Sequence, residues 1–264
     1  MAEATVSASL QGVTRVFNGK LHALGPVDLD LRQGEFFSIV GPSGCGKSTL
    51  LDIAAGLSLP TEGRVSFEGK PVTGTVPEGV GIVFQDDASF PWLTVRDNIA
   101  FGLKRAGVDG AEISRRVDFA VEFMGLKDFG GAHPSQLSGG MRQRVCIART
   151  LVRRPRLFLL DEPFGALDQQ TRLLMGDELL RLWRETHATV LLITHSLDEA
   201  AMLSDRIGVM SSRPGRFIDI VETGWPRERD SRIASDPAFG RVTARLWDKL
   251  RSESMKAMAG DGKP

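Results

Sequence analysis

Tyrosine is absent from the 264 residues, and cysteine occurs only twice, at positions 45 and 146. Two thiols do not make a disulfide framework, so the chain carries no mark of an oxidised, disulfide-stapled scaffold. No apolar stretch approaches the roughly 18 to 20 residues that a membrane-crossing helix requires. The opening residues, Met1-Ala2-Glu3-Ala4-Thr5, lack the basic start and apolar core of a signal peptide. An excess of charge is missing as well. Lys plus Arg and Asp plus Glu each total 33, a balance that points to neither a nucleic-acid binder nor an anionic-membrane binder. Internal repeats, sustained heptads and basic runs are not found. The expectation is a cytosolic protein with no nucleic-acid partner. Its 264 residues suit one compact unit with a subdomain.

What is present is chemically specific. Gly41-Pro42-Ser43-Gly44-Cys45-Gly46-Lys47-Ser48-Thr49 fits the spacing G-x-x-x-x-G-K-[ST]. The apolar run Phe36-Phe37-Ser38-Ile39-Val40 precedes it, and Leu50-Leu51-Asp52-Ile53-Ala54-Ala55 follows. That strand–loop–helix context is what a phosphate-cradling loop needs. Glycines let consecutive backbone N–H groups point inward, and the helix adds the positive end of its dipole. Lys47 can then reach the β- and γ-phosphates of a nucleoside triphosphate, and the Ser48 hydroxyl can ligate Mg²⁺. Cys45 reads as a spacer whose backbone N–H matters. Its place among phosphate-directed dipoles is expected to lower its pKa.

A second apolar run, Leu157-Phe158-Leu159-Leu160, ends in Asp161-Glu162-Pro163. Such a run reads as a buried strand of a parallel sheet, and ligands gather at the C-terminal ends of those strands. Asp161 is expected to hold Mg²⁺, through water, and Glu162 to polarise the attacking water. A strand that merely ends in charge accounts for either carboxylate alone, but poorly for the pair beside a phosphate loop.

Between these motifs stands Gln136-Leu137-Ser138-Gly139-Gly140-Met141-Arg142-Gln143-Arg144, which resembles the LSGGQ signature of ATP-binding cassette (ABC) ATPases. Ser138 and the glycines open a helix through Val145, Ala148, Leu151 and Val152, and a helix N-terminus with a free hydroxyl is a second anion site. The resemblance implies that Ser138, Gly139 and Gly140 meet the γ-phosphate held by a second subunit, burying two ATP between two head-to-tail cassettes. Met141 stands where the family usually has Gln. Other family positions follow in order over residues 10–212. Phe17 stands where an aromatic stacks on adenine, the usual Tyr being excluded by composition; a plain core Phe is the alternative. Gln85, in Val83-Phe84-Gln85-Asp86, matches the glutamine that senses Mg²⁺ and water. Ala166-Leu167-Asp168 resembles the loop crossing the dimer interface. His195, in Leu191-Leu192-Ile193-Thr194-His195-Ser196, matches the switch histidine. His22, His133 and His187 have no such context and read as surface.

The coarse organisation agrees with an α/β ABC ATPase fold: a mostly parallel phosphate-loop NTPase core, an antiparallel β subdomain and an inserted helical subdomain. Short strands are expected at residues 6–10, 13–17 and 27–31, with a hairpin turn at Asn18-Gly19, and another strand at residues 64–68. Residues from about 88 to about 150 look helical; Ile113, Val117, Ala120, Val121 and Met124 recur at helical spacing, with Gly125 as a stop. Strands return at 157–161 and 189–194, separated by a helix through Leu173, Leu180 and Trp183. Beyond residue 210 the chain reads as looser. Ser235-Asp236-Pro237 then starts a helix carrying Phe239, Val242, Leu246 and Leu250 on one face. The division expected is an ATPase domain over 1–235 and a helical tail over 236–264.

The resemblance further implies work at a membrane. Ser89-Phe90-Pro91-Trp92-Leu93-Thr94-Val95 follows Gln85 closely, and in importer ATPases this stretch lines the groove that receives a permease helix; the alternative is that Phe90 and Trp92 are buried in the subdomain core. Ser211-Ser212-Arg213-Pro214-Gly215-Arg216, Met141 and the tail with Trp247 resemble ATPases of the nitrate, sulfonate and taurine importers, although Pro-Gly also suits a plain hairpin turn. The reading is a peripheral subunit on the cytoplasmic face of the inner membrane. Its expected partners are a second ABC ATPase subunit, an integral membrane permease and, indirectly, a periplasmic or extracellular solute-binding protein. The competing class is a soluble ABC ATPase that remodels a nucleic-acid or protein assembly. Such proteins usually carry two cassettes, coiled-coil insertions or basic extensions, and this sequence shows one cassette, no sustained heptads and no basic run. An exporter ATPase fits less well, since exporters often fuse cassette and membrane domain.

Overall fold

The computed structural model describes residues 5–86, 88–165 and 167–260. A long hairpin opens the chain: β1 (Val6–Phe17) and β2 (Leu21–Arg32) pair antiparallel. Asn18 and Gly19 turn it at positive φ, 51° and 66°, the conformation that tight hairpin turns demand. The sequence suggested two strands at 6–10 and 13–17, but these are one strand. Gly12 sits at φ 58° where the pairing register shifts, so a bulge absorbs the break without ending the strand.

β3 (Phe36–Val40), α1 (Lys47–Ala54), β4 (Glu62–Phe67), β5 (Lys70–Pro71) and β6 (Val80–Val83) follow. β4 pairs with β1 and β5 with β4, giving an antiparallel sheet ordered β2-β1-β4-β5. The helical insertion comes next, with α2 (Val95–Arg105), α3 (Gly110–Phe123) and α4 (Gly139–Leu151). Thr94 caps α2 by accepting from Asp97 N–H at 3.1 Å, and Asp109 caps α3 by accepting from Ala111 N–H at 2.9 Å. Gly125, at φ 61°, ends the α3 turn as its sequence position suggested.

The chain then returns to strands with β7 (Leu157–Asp161), α5 (Gln169–Thr186), β8 (Thr189–Ile193), α6 (Leu197–Leu203), β9 (Arg206–Met210), β10 (Phe217–Glu222) and α7 (Pro237–Gly260). The second sheet is ordered β10-β9-β3-β8-β7-β6, parallel except for the antiparallel edge strand β10. Every residue of β3, β7 and β8 is buried, which is why these strands read as unbroken apolar runs rather than alternations.

Alternate residues of the parallel strands serve two cores. Phe36, Phe158, Leu160, Val190 and Leu192 pack toward the helical insertion and α5–α7, whereas Phe37, Ile39, Leu159, Leu191 and Ile193 pack with α1 and the antiparallel sheet. Trp183 of α5 is 2 % exposed; its Nε1–H donates to Gly34 O at 3.0 Å and its ring meets Phe36 edge-on. α7 joins the first core through Phe239, Leu246 and Leu250. β10 was not foreseen, because an edge strand between Pro214 and Pro226 offers no buried run to read. No helix among the described residues is long and apolar enough to cross a membrane.

Candidate active site

The sheet order decides what comes together. β3, β8, β7 and β6 are neighbours and all run the same way. Their C-terminal ends therefore present, side by side, residues 41–49, then His195, then Asp161 and Glu162, then Gln85. Four separate stretches of sequence become one row, at the edge where open α/β sheets bind ligands.

The loop after β3 is shaped by backbone, with Gly44 at φ 70° and Gly46 at φ 104°. A Cβ on Gly46 would lie 2.9 Å from Ala23 O, so β2 is pressed against the loop. Gly46 caps α1 without any side-chain acceptor, which leaves first-turn N–H groups of the helix for an anion. Lys47 is 7 % exposed, and its Nζ donates to Gly41 O at 2.9 Å and Pro42 O at 3.0 Å. The expectation for Cys45 is corrected here. The residue is buried, and loss of water pushes its thiol pKa up, with nearby Lys47 opposing only in part. Burial thus opposes activation of the Cys45 thiol.

Asp161 ends β7 and is buried, and its Oδ1 has no hydrogen-bond partner among the described residues. Burial raises its pKa, a hydrogen bond with Ser48 opposes this, and the neighbouring Glu162 and Asp52 charges add to the rise. An orphaned buried carboxylate oxygen beside a serine hydroxyl is a hard-oxygen donor set, of the kind Mg²⁺ takes. Glu162 adopts φ 45°, unusual for a residue with a side chain. Its N–H donates to Ile193 O at 2.9 Å, so β8 holds it there. Gln85 Nε2 donates to Glu162 Oε2 at 3.1 Å, and His195 Nδ1 lies 3.2 Å from the same oxygen. Two predicted polar side chains thus converge on the third.

Phe17 ends β1 and is 36 % exposed, with the Arg15 guanidinium 4.7 Å from its ring centroid. It is not a core residue. Ser138 caps α4 by accepting from Met141 N–H at 3.3 Å, so its oxygen is engaged rather than free as the sequence suggested; its proton remains for donation. Gly140 packs beneath Leu167, where an added Cβ would lie 2.5 Å from Leu167 Cδ2. Gly139 has only Arg142 Nη2 near its missing Cβ. Asp168 caps α5, accepting from Thr171 N–H at 2.9 Å and Thr171 Oγ1–H at 2.6 Å, bonds that hold its pKa down. Ala166 lies outside the described residues. Ser138, Gly139, Gly140 and Asp168 form a second group, on α4 and the start of α5. α4 is also tied to the Gln85 segment: Gln143 Nε2 donates to Phe84 O at 3.3 Å, Thr150 Oγ1–H to Ile82 O at 3.1 Å and Arg149 Nη1 to Ala88 O at 2.8 Å.

Residues 24–165 match the family model described as ABC transporter. The taurine import ATP-binding protein TauB of Mesorhizobium japonicum is 44% identical over 233 residues, covering 86% of this chain and 90% of that protein. This chain belongs to the ABC transporter ATPase family. The bicarbonate transport ATP-binding protein CmpC of Synechococcus elongatus is 48% identical over 210 residues, 78% of this chain and 32% of that longer protein. Among solved structures, the dimeric post-hydrolysis state of an ATP-binding cassette bound to ADP and Pi aligns with a TM-score of 0.74 at 33% identity, covering 81% of this chain and 98% of that one. The fold is that of ABC ATPases, and the activity is ATP hydrolysis. TauB and CmpC support the likeness to the nitrate, sulfonate and taurine importer group.

Sequence reasoning missed two buried polar groups that lie beside these segments. Glu199, on α6, is 7 % exposed; Thr194 Oγ1–H donates to its Oε2 at 2.9 Å and its Oε1 has no partner among the described residues. Burial pushes its pKa up to about 7, against Thr194 and Arg172 and helped by Glu162. Asn98 was the other; it is fully buried behind the segment after Gln85. Nothing in sequence spacing singles out either.

Proposed function

We propose that the chain is the nucleotide-binding subunit of an importer. It pairs with a second cassette on ATP and drives uptake of a small solute of the nitrate, sulfonate or taurine class through a membrane permease. In this reading residues 1–235 are the ATPase domain, with the helical subdomain at about 88–150, and residues 236–264 are a tail.

Lys47, the loop N–H groups of residues 41–49 and the N-terminus of α1 bind the phosphates and neutralise charge that grows in the transition state. Phe17 stacks on the base. Ser48, Gln85 and Asp161 would hold Mg²⁺, which when bound would supply charge neutralisation on the phosphates. Glu162 takes a proton from the attacking water or orients it, and Gln85 and His195 fix the Glu162 carboxylate for that task. Ser138, Gly139 and Gly140 complete the site of the opposite subunit, and Asp168 lies at the interface. The bonds from α4 to Phe84, Ile82 and Ala88 carry closure to the segment after Gln85.

The observation behind the transport reading is Trp92. It is 70% exposed, yet it is stacked on Phe90 with centroids 5.5 Å apart, and Phe90 leans on Phe101 at 4.7 Å. Asn98 locks the ledge, accepting from Phe90 N–H at 2.7 Å and donating to Phe90 O, Leu93 O and Thr94 O at 3.0–3.1 Å. A rigid, exposed aromatic step is costly to leave in water and suits an apolar helix of a partner. It begins a few residues beyond Gln85, so the partner touches the same segment that touches Glu162. The location that follows is peripheral, on the cytoplasmic face of the membrane.

The test is to express tagged Glu162→Gln in the source organism, add ATP, solubilise membranes gently and identify what co-purifies. An integral membrane permease is the expected result. Recovery of only soluble or ribosomal partners would overturn the importer reading and leave the ATPase chemistry standing.

A further inference from the structure

Residues 211–216, Ser211-Ser212-Arg213-Pro214-Gly215-Arg216, connect β9 to β10 and touch three parts of the molecule. Against β2, Gly215 N–H donates to Ala23 O, and Gly25 N–H donates to Gly215 O, each at 3.0 Å. Against the phosphate loop, Arg213 donates Nε and Nη2 to Gly44 O at 3.1 and 2.9 Å. Against α7, Ser212 donates its backbone N–H and its hydroxyl to Glu253 Oε2 at 2.9 and 3.0 Å. Glu253 is 5% exposed, and Lys256 Nζ donates to its other oxygen at 2.6 Å. The approach to the loop is close: a Cβ on Gly215 would lie 2.1 Å from Cys45 O.

The carbonyl that Arg213 grips shares a planar peptide unit with Cys45 N–H. In a trans unit that N–H points away from the carbonyl, so a cationic fork on the oxygen fixes the plane and polarises the donor. Cys45 N–H is otherwise held loosely, 3.4 Å from Pro42 O. Gly44, at φ 70°, has no side chain to resist a swing of the plane.

We infer that Arg213 is a positioning residue for nucleotide binding, and that α7 sets its grip on the phosphate loop through Ser212 and Glu253. The inference rests on residues 41–49 being the nucleotide site, and goes beyond it by giving the C-terminal helix a hold on that site.

The test is titration of the purified full-length chain with the fluorescent nucleotide mant-ADP, alongside ATP kinetics. Arg213→Gln is expected to raise Kd about three- to tenfold, a modest change because the pair is solvent-exposed. KM for ATP should follow while kcat moves less than about twofold. Arg213→Lys, which keeps the charge but not the fork, should recover part of the affinity. Glu253→Gln should raise Kd about two- to threefold in the same direction. Should that variant fold poorly, Ser212→Ala, which removes only the hydroxyl bond, decides the point.

Unchanged Kd in Arg213→Gln, with wild type binding the probe, overturns the inference. A shift in Arg213→Gln with none in Glu253→Gln or Ser212→Ala removes α7 from it. A wild type that does not bind mant-ADP overturns instead the nucleotide-site reading on which it rests.

Discussion

Glu162 Oε2 and His195 Nδ1 lie 3.2 Å apart, across neighbouring strand ends. The contact links the residue proposed to activate water with the residue proposed to fix it, and Glu162 is held at φ 45° to make it. Holding a side-chain-bearing residue in that conformation costs on the order of 1 kcal/mol or more, which the Glu162 N–H bond to Ile193 O helps to offset. His195→Ala should therefore lower kcat roughly 10²-fold with nucleotide Kd nearly unchanged. Steady-state ATPase assays paired with mant-ADP titration check this. A Kd that weakens in step with kcat would assign His195 to binding instead.

Lys47 behaves differently, because its buried ammonium is part of the loop itself, bonded to Gly41 O and Pro42 O. Lys47→Ala removes both the charge proposed to meet the phosphates and two loop ties. Binding is expected to weaken roughly 10- to 100-fold, with turnover falling further. Isothermal titration with a nucleotide gives the first number. Wild-type affinity would show that the loop N–H groups suffice alone.

Glu199 makes stability depend on pH. Its carboxyl has a reference value of 4.5 and is raised to about 7 by burial. Between those values the folded chain holds more protons than the unfolded one. The stability this group contributes is thus present below about 4.5 and lost as pH rises through about 7. The full swing is about 3 kcal/mol. Glu199→Gln should match wild type near pH 5 and be the more stable near pH 8, by up to that amount. Urea unfolding at the two pH values measures the difference; parallel behaviour of the two proteins would rule out a titrating Glu199.

Trp92 offers the cleanest separation of roles. Being mostly exposed, Trp92→Ala should change stability by no more than about 0.5 kcal/mol and leave the isolated subunit's ATPase rate alone. Recovery with the membrane fraction is where the loss should appear. A variant that still fractionates with membranes as wild type does would remove the aromatic ledge from the docking account.

Much of this site was legible in the sequence because its chemistry is written in short motifs at strand ends. Residues 41–49, Asp161, Glu162, Gln85 and His195 each follow an apolar run, and buried parallel strands are such runs. Only the sheet order, β3-β8-β7-β6, could say that they stand in a row. Burial was less legible. Cys45 looked activated because its neighbours are dipoles, but the packing of β2 and residues 211–216 around it outweighs them. Glu199 stands in the first turn of α6, where an acid needs no tertiary reason; its depth under Thr194 is tertiary. The alternation of apolar positions breaks between residues 10 and 13, where the structure has a register shift inside one strand rather than a strand end.

Glu162 is proposed as the group that activates water, and Glu162→Gln removes that ability while keeping the side chain's shape. Purified variant and wild type would be mixed with ATP and Mg²⁺, phosphate release followed, and the mass of the complex read by light scattering after gel filtration. The account predicts that Glu162→Gln binds ATP with near wild-type affinity, releases phosphate at least about 10²-fold more slowly and elutes as a stable dimer that wild type does not accumulate. Phosphate release at the wild-type rate, with no trapped dimer, would contradict it.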